Sequence, residues 1–195
     1  MAINFYGAKT RSKVRILDLG CGTGACLWYL ASEGFRTYGV DGSETAVKIA
    51  KTRMKQNRLN YSVRVADLVA LPYREESFDG VIDVAAIQHN KSESIITIMK
   101  EIHRVLKPRG KLFSMLIKRG SWGYGKGRKI EPCTFTSIPA GPLAGKGKVH
   151  FFSKQEIVAL LRATGFHKSG IEISSRTKNN MRRIVAYYVV SAEKD

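Results

Sequence analysis

Cysteine is scarce in this chain, and acidic residues are few. The three cysteines, Cys21, Cys26 and Cys133, form no CxxC pair. Neither a disulfide framework nor a zinc site is therefore expected, and no metal is assigned. No apolar run approaches the roughly 18 residues that a membrane-crossing helix needs. The first residues, Met1 to Tyr6, lack the apolar core of a secretion signal, so a cytoplasmic chain is expected. Internal repeats are absent, as is the aromatic and glycine pattern of a known RNA-binding module. Asp and Glu number 16 against 33 Lys and Arg, for a net charge of +17. Residues 1–97 hold 13 basic and 10 acidic side chains, whereas residues 98–195 hold 20 and 6. A basic C-terminal half can attract nucleic acid or another polyanion. Solvated surface lysines and arginines are the simpler reading, and both stay open.

A length of 195 residues suits one domain with one substantial core, and an apolar fraction of 44% is ordinary for a globular protein. The stretch from Val14 to Gly24 organises the rest. Ile16, Leu17 and Leu19 form a buried strand, and Gly20, Gly22 and Gly24 remove side chains where the chain must turn and a ligand must approach the backbone. A helix from Ala25 to Ser32 follows, closed by Gly34, and its free N–H groups face the same turn. Phe35 to Val40 is a second strand, with Ser43 as N-cap of the next helix. Tyr61 to Ala66 and Phe78 to Asp83 are the third and fourth strands. A helix starts at Ser92, with Pro108 and Gly110 expected to end it, and Lys111 to Ile117 is the fifth strand. Strand–helix units of this length predict an α/β, Rossmann-like, doubly wound sheet of seven strands, mostly parallel with an antiparallel edge strand.

Residues 118–152 break the rhythm. They are rich in Gly, Pro and Lys, and a loop this long inside a domain is usually functional or disordered. Its aromatic residues favour an ordered substrate-side lid. Residues 1–13 look like a loose lead-in that caps the site. Ser153 to Glu156 is a capping box. Strands at 166–174 and 184–192, joined by a basic connection at 175–183, are expected to finish a single domain spanning 1–195.

Glycine spacing alone does not choose a ligand, because Gly20, Gly22 and Ala25 also fit a dinucleotide-binding pattern. Asp41 lies about 20 residues on, where a carboxylate accepts hydrogen bonds from ribose hydroxyls. Asp18, however, would oppose a pyrophosphate and suits an ammonium. Asp67 ends the third strand, where it can accept from an adenine amino group. Three carboxylates at three strand ends, with no lysine at the turn, describe a pocket for a sulfonium nucleoside with a free amino-acid tail.

Four stretches occur in order: Leu17-Asp18-Leu19-Gly20-Cys21-Gly22-Thr23-Gly24; Gly39-Val40-Asp41-Gly42-Ser43; Ala66-Asp67-Leu68 with Leu71-Pro72 and Ser77-Phe78-Asp79; and Glu101 to Gly110. Through them the chain from Val14 to about Phe166 resembles the class I S-adenosylmethionine-dependent methyltransferases, in the ubiquinone/menaquinone methyltransferase-like (methyltransferase type 11) branch. The resemblance implies S-adenosyl-L-methionine as cofactor and S-adenosyl-L-homocysteine as product. It places Asp18, Gly20, Cys21, Gly22 and Gly24 at the methionine end, Asp41, Gly42 and Ser43 at the ribose, and Ala66, Asp67 and Leu68 at the adenine. Asp83 to His89 would pass near the methyl donor, with Asp83 touching cofactor. The branch commonly has two adjacent histidines where this chain has Gln88-His89, and His89 is the candidate base. Trp122, Glu131 and His150 are the substrate-side candidates.

The expected activity is methyl transfer to a small molecule by direct displacement. Two alternatives are an RNA (tRNA) methyltransferase using the basic half and a non-catalytic S-adenosylmethionine-binding partner subunit.

Overall fold

The computed structural model describes residues 8–195; residues 1–7, and with them half of the expected cap at 1–13, lie outside the described residues. β1 (Arg15–Leu19) is buried along nearly its whole length, as a central parallel strand covered on both faces must be. α1 (Ala25–Ser32) follows the glycine turn, and β2 (Arg36–Asp41) pairs parallel with β1. α2 (Glu44–Gln56) starts where the Ser43 side chain accepts from the Ala46 amide at 3.2 Å. Val47, Ala50 and Met54, at helical spacing, turn its apolar face onto Leu27 and Val63. β3 (Tyr61–Val65) and β4 (Phe78–Val84) complete the first half.

The sheet order is β3-β2-β1-β4-β5-β10-β9. The chain runs outward from β1 to β3 and then returns to the other side of β1 with β4. Strand order therefore reverses at the β1/β4 boundary, the crevice where doubly wound sheets bind ligands at the strands' carboxyl ends. β1 to β5 are parallel; β10 (Arg183–Lys194) runs against them beside β5, and β9 (Phe166–Lys178), antiparallel to β10, closes the edge of the sheet. The seven-stranded, mostly parallel sheet with an antiparallel edge is the architecture expected from the sequence.

Two boundaries differ from expectation. α3 (Ser92–Val105) ends before Pro108, because β5 (Leu106–Ile117) already begins at Leu106, which pairs with Phe78. Proline is tolerated there because a shift of register falls between Phe78 and Gly80, opposite that stretch. The supposed connection 175–183 is mostly strand: Lys178 pairs with Arg183, so only four residues turn the hairpin.

Residues 118–152 are ordered. β6 (Arg128–Glu131), β7 (Thr134–Thr136) and β8 (Val149–His150) form a small antiparallel sheet. Phe135, Ile138, Leu143, Val149 and Phe151 make its core together with Ile117 and Val185 of the main sheet. The insertion is sewn to β10: Lys118 N–H donates to Ala186 O at 2.9 Å and Trp122 N–H to Ile184 O at 2.7 Å. Ser121 exchanges two hydrogen bonds with the Ala186 backbone, at 2.8 and 3.0 Å. α4 (Lys154–Ala163) opens with the capping box at Ser153 and Glu156. No described helix is long and apolar enough to cross a membrane.

Candidate functional site

The glycine turn is built by close contacts on one side and open space on the other. A Cβ on Gly20 would lie 2.3 Å from the Ala86 Cβ, so the turn after β1 rests against the turn after β4. A Cβ on Gly24 would meet Ala50 of α2 at 3.0 Å. At Gly22, φ is +51° and an added Cβ would meet nothing within 4 Å. Packing thus requires the outer glycines, whereas the middle one leaves a cradle free. Cys21 N–H donates to Val40 O at 2.9 Å, which pins the turn to β2. Burial pushes the Cys21 thiol up to about 12, so it stays a neutral filler.

Asp41 closes the cradle. One carboxylate oxygen accepts from Gly22 N–H at 2.8 Å and the other from Ser43 N–H at 2.9 Å. Each oxygen keeps a second lone pair for a ligand hydroxyl. Gly42 and Ser43 are exposed beside it, and a Cβ on Gly42 would also meet nothing within 4 Å. On the next strand Asp67 is exposed and accepts from Val69 N–H at 3.1 Å, while Ala66 and Leu68 are half-buried. β1, β2 and β3 therefore carry Asp18, Asp41 and Asp67 to one edge of the sheet.

Asp18 differs from the other two. It is 2% exposed, and its Oδ2 has no hydrogen-bond partner among the described residues. Burial, and after it the charge of Asp83, raises its carboxyl from 3.8 to about 7, against a smaller pull from the Leu27 amide and the Cys26 thiol. A buried carboxyl short of donors, beside an open backbone cradle, fits a cationic amino-acid tail and not a phosphate.

Asp83 is placed differently from the expectation that it touches cofactor. It has no exposed surface. Its Oδ1 accepts from Ala86 N–H at 2.7 Å and Ile87 N–H at 3.1 Å, and its Oδ2 accepts from the Ser114 hydroxyl. Burial raises this carboxyl to about 6 against those three hydrogen bonds. Asp83 shapes the turn after β4 instead of lining a cavity. That turn holds Ala85 at φ +65°, a left-handed conformation that alanine rarely adopts.

His89 ends the short 3-10 turn 87–89. Its Nδ1 lies 2.9 Å from Lys148 O. A carbonyl only accepts, so Nδ1 carries the proton and Nε2 is left as the acceptor of the neutral ring. Gln88, in the place of the branch's first histidine, is buried; its Oε1 accepts from Ile117 N–H at 2.9 Å.

The three substrate-side candidates separate. His150 is 2% exposed, and both ring nitrogens are taken, by Thr134 Oγ1 at 2.7 Å and Glu156 Oε1 at 2.6 Å. Glu131 Oε1 accepts from Ser92 N–H at 2.7 Å, Ser92 Oγ at 2.9 Å and Thr134 Oγ1 at 3.0 Å. Burial pushes the Glu156 carboxyl upward, but His150, the Ser153 amide and Arg119 outweigh it and leave it below its ordinary value. These two residues are therefore a latch joining the insertion to the starts of α3 and α4, and neither faces an open site. Their expected substrate contact is corrected on that ground. Trp122 alone lines a cavity, described below. Among the described residues no cluster of His, Cys, Asp and Glu could hold a metal.

The sequence reading missed Cys26, whose thiol donates to Asp18, and Ser114, which holds Asp83. Neither carries a local signal, because each meets its partner only through the tertiary fold.

The chain is similar to known methyltransferases. Residues 16–110 match the family model described as a methyltransferase domain. The chain is 29% identical over 113 residues to a ubiquinone biosynthesis O-methyltransferase of Bartonella tribocorum, covering 57% of this chain and 45% of that protein. It thus spans about half the length of the curated relatives it matches. Among solved structures, a SAM-dependent methyltransferase from Methanosarcina mazei superimposes with a TM-score of 0.78 at 24% identity, covering 93% of this chain and 92% of the other. A 1,6-didemethyltoxoflavin-N1-methyltransferase from Burkholderia thailandensis, solved with S-adenosylhomocysteine, gives 0.68 at 21% identity, covering 93% and 71%. Residues 16–110 thus match a methyltransferase domain, and the fold is the one shared by these solved methyltransferase structures.

Proposed function

We propose that this chain transfers a methyl group from S-adenosyl-L-methionine to a small-molecule acceptor. The observation that carries the reading is the placement of Asp18, Asp41 and Asp67 at one edge of the sheet, with Asp41 closing the open Gly22 cradle. The Methyltransferase domain match over residues 16–110 supports it. So do the names of the relatives: a ubiquinone biosynthesis O-methyltransferase and an enzyme that methylates a small heterocycle.

When bound, S-adenosyl-L-methionine supplies a sulfonium methyl that an acceptor's lone pair displaces. The chain's own part is binding and alignment, which can lower such a barrier by roughly 7–11 kcal/mol. Asp18 offers its carboxylate to the ammonium end and Gly22 leaves room for the tail. Asp41 holds the ribose hydroxyls through its remaining lone pairs, and Asp67 with Leu68 frames the adenine. The insertion, docked on the 3-10 turn through the His89–Lys148 hydrogen bond, excludes water from the acceptor side. His89 Nε2, kept as an acceptor by that bond, takes the proton when the acceptor atom must lose one.

Calorimetric titration with S-adenosyl-L-homocysteine tests the reading. Wild type should bind, and Asp41→Ala and Asp67→Ala should each bind at least roughly tenfold more weakly, the worth of a charge-assisted hydrogen bond. A folded wild-type chain with no heat of binding at millimolar ligand would refute it.

A further inference from the structure

A cavity of about 490 Å³ lies between the insertion and the C-terminal hairpin. The insertion lines it with Trp122, Tyr124, Lys126 and the Gly120–Gly123 stretch, and the hairpin with Arg182 and Arg183. Its volume is that of a small-ligand site. Arg182 and Arg183 also line a second cavity, of about 410 Å³, at the hairpin turn with Asn179 and Asn180.

The location is on the reacting side. Tyr187 pairs with Ile117, the last residue of β5, so residues 182–184 reach past the carboxyl end of that parallel strand. That is the edge on which the glycine turn, Asp41 and Asp67 lie. The insertion that forms the other wall also touches His89 through Lys148 O.

The cavity's chemistry is one-sided. No acidic side chain lines it. Among the described residues no carboxylate pairs with Lys126, Arg182 or Arg183. The insertion's only acid, Glu131, is occupied by Ser92 and Thr134. Three cations lining one cavity with no carboxylate among them favour an anion there, and arginine forks suit a phosphate. The aromatic side is also built for contact: a Cβ on Gly141 would sit 3.1 Å from the Trp122 ring, so glycine there lets the indole lie flat against backbone. Tyr124 is held edge-on by Phe135 and Phe151, with centroids at 5.7 and 5.4 Å.

We propose that this cleft is the acceptor site, and that the acceptor is a small phosphate-bearing molecule whose apolar or ring portion lies against Trp122 and Tyr124 while Lys126, Arg182 and Arg183 hold its phosphate. The proposal rests on the methyltransferase reading above and adds the chemical class of the substrate. A small molecule is favoured over single-stranded nucleic acid because a strand needs successive stacking platforms. Among the described residues, Tyr124 is the sole aromatic among the large exposed hydrophobics on this face; Trp28 and Tyr29 belong to α1.

The test uses the full chain, with and without S-adenosyl-L-homocysteine, titrated calorimetrically with phenyl phosphate, benzyl alcohol and inorganic phosphate. Phenyl phosphate should bind at least roughly tenfold more tightly than benzyl alcohol, as charge-assisted hydrogen bonds require. The Arg182→Ala/Arg183→Ala variant should erase that preference with unchanged homocysteine-adduct affinity, and Arg182→Lys/Arg183→Lys should keep part of it. In a Trp28→Phe background Trp122 is the sole indole, and its fluorescence should change with phenyl phosphate. Equal affinity for phosphate and alcohol, or an unaltered double-alanine variant, would overturn the proposal. So would a single-stranded oligonucleotide that binds with a steep salt dependence and is not displaced by phenyl phosphate, the mark of a nucleic-acid surface. Loss of S-adenosyl-L-homocysteine binding in wild type would sink the methyltransferase reading instead, and the phosphate titration alone would still decide the cleft.

Discussion

Asp18→Asn should make this protein more stable at alkaline pH and less able to bind its cofactor. The Asp18 carboxyl titrates at about 7 in the folded chain against 3.8 when exposed, chiefly through burial. At about 1.4 kcal/mol for each pH unit of separation, ionising it in place costs about 4 kcal/mol. An acid whose folded pKa lies above its unfolded one binds more protons folded than unfolded between those values. Stability therefore falls as pH climbs from about 4 to about 7, and the loss is complete above that. Asparagine has no such dependence. Urea unfolding of both proteins at pH 5, 6, 7 and 8.5 should show the wild type losing ground to the variant by about 2–4 kcal/mol across that range. Differences between the two proteins matter here because Glu101, Glu131 and Glu156 have lowered carboxyl values and tilt both curves the other way at acid pH. Cofactor binding supplies the second half of the experiment. A bound ammonium needs the ionised carboxylate, so wild-type affinity for S-adenosyl-L-homocysteine should weaken below pH 7, while the variant should bind weakly throughout. A stability difference that stays flat with pH, or a variant that binds like wild type, would refute the reasoning.

Gly20→Ala and Gly22→Ala should fail in different ways: the first drives a methyl into Ala86 at 2.3 Å and should abolish folding, whereas the second meets no atom. Gly22→Ala should cost only about 1 kcal/mol for its left-handed backbone yet lose cofactor affinity, read by thermal melting and calorimetry on one sample. His150→Ala should strand Thr134 and Glu156 without a partner and cost about 2–4 kcal/mol; limited proteolysis should then cut within 118–152 first, and an uncut insertion would contradict the latch. His89→Asn keeps a donor for Lys148 O and removes the acceptor nitrogen. If His89 accepts the acceptor's proton, kcat should fall by roughly 10²–10⁴ with unchanged cofactor affinity, and an undiminished kcat would make the ring a wall.

Local patterns carried the fold a long way. Ile16, Leu17 and Leu19 before three glycines announced β1, its turn and α1. Ser43 and the Ser153–Glu156 capping box marked two helix starts that the structure places at the expected residues. Pro108 misled because proline breaks helices by rule, but the chain had already left α3 to pair Leu106 with Phe78. That pairing depends on a strand almost thirty residues upstream and has no local sign. The basic stretch 175–183 read as a connection for a similar reason: on an exposed edge strand, charge and hairpin pairing coexist. At the candidate site, the position of Asp41 at the end of β2 and of Asp67 just past β3 was legible in the sequence. Asp83 looked alike in sequence and was separated from them only by Ser114, which approaches from β5. His150 and Glu131 stood out as isolated polar residues in a loop, and their engagement with each other's partners appears only when α3 and α4 are docked.

The Glu131–Ser92 contact has a consequence for how the chain assembles. Lys91, at the N-cap of α3, makes no side-chain cap, and the Ser92 amide is served instead by a carboxylate 39 residues downstream. A favourable charge at a helix start is worth about 0.3–1 kcal/mol. During synthesis this contact becomes available to the first turn of α3 only after β5 and β6 have been made. The insertion serves as an assembly step as well as a cover: a truncation within 118–131 should slow the docking of a helix that lies wholly outside it.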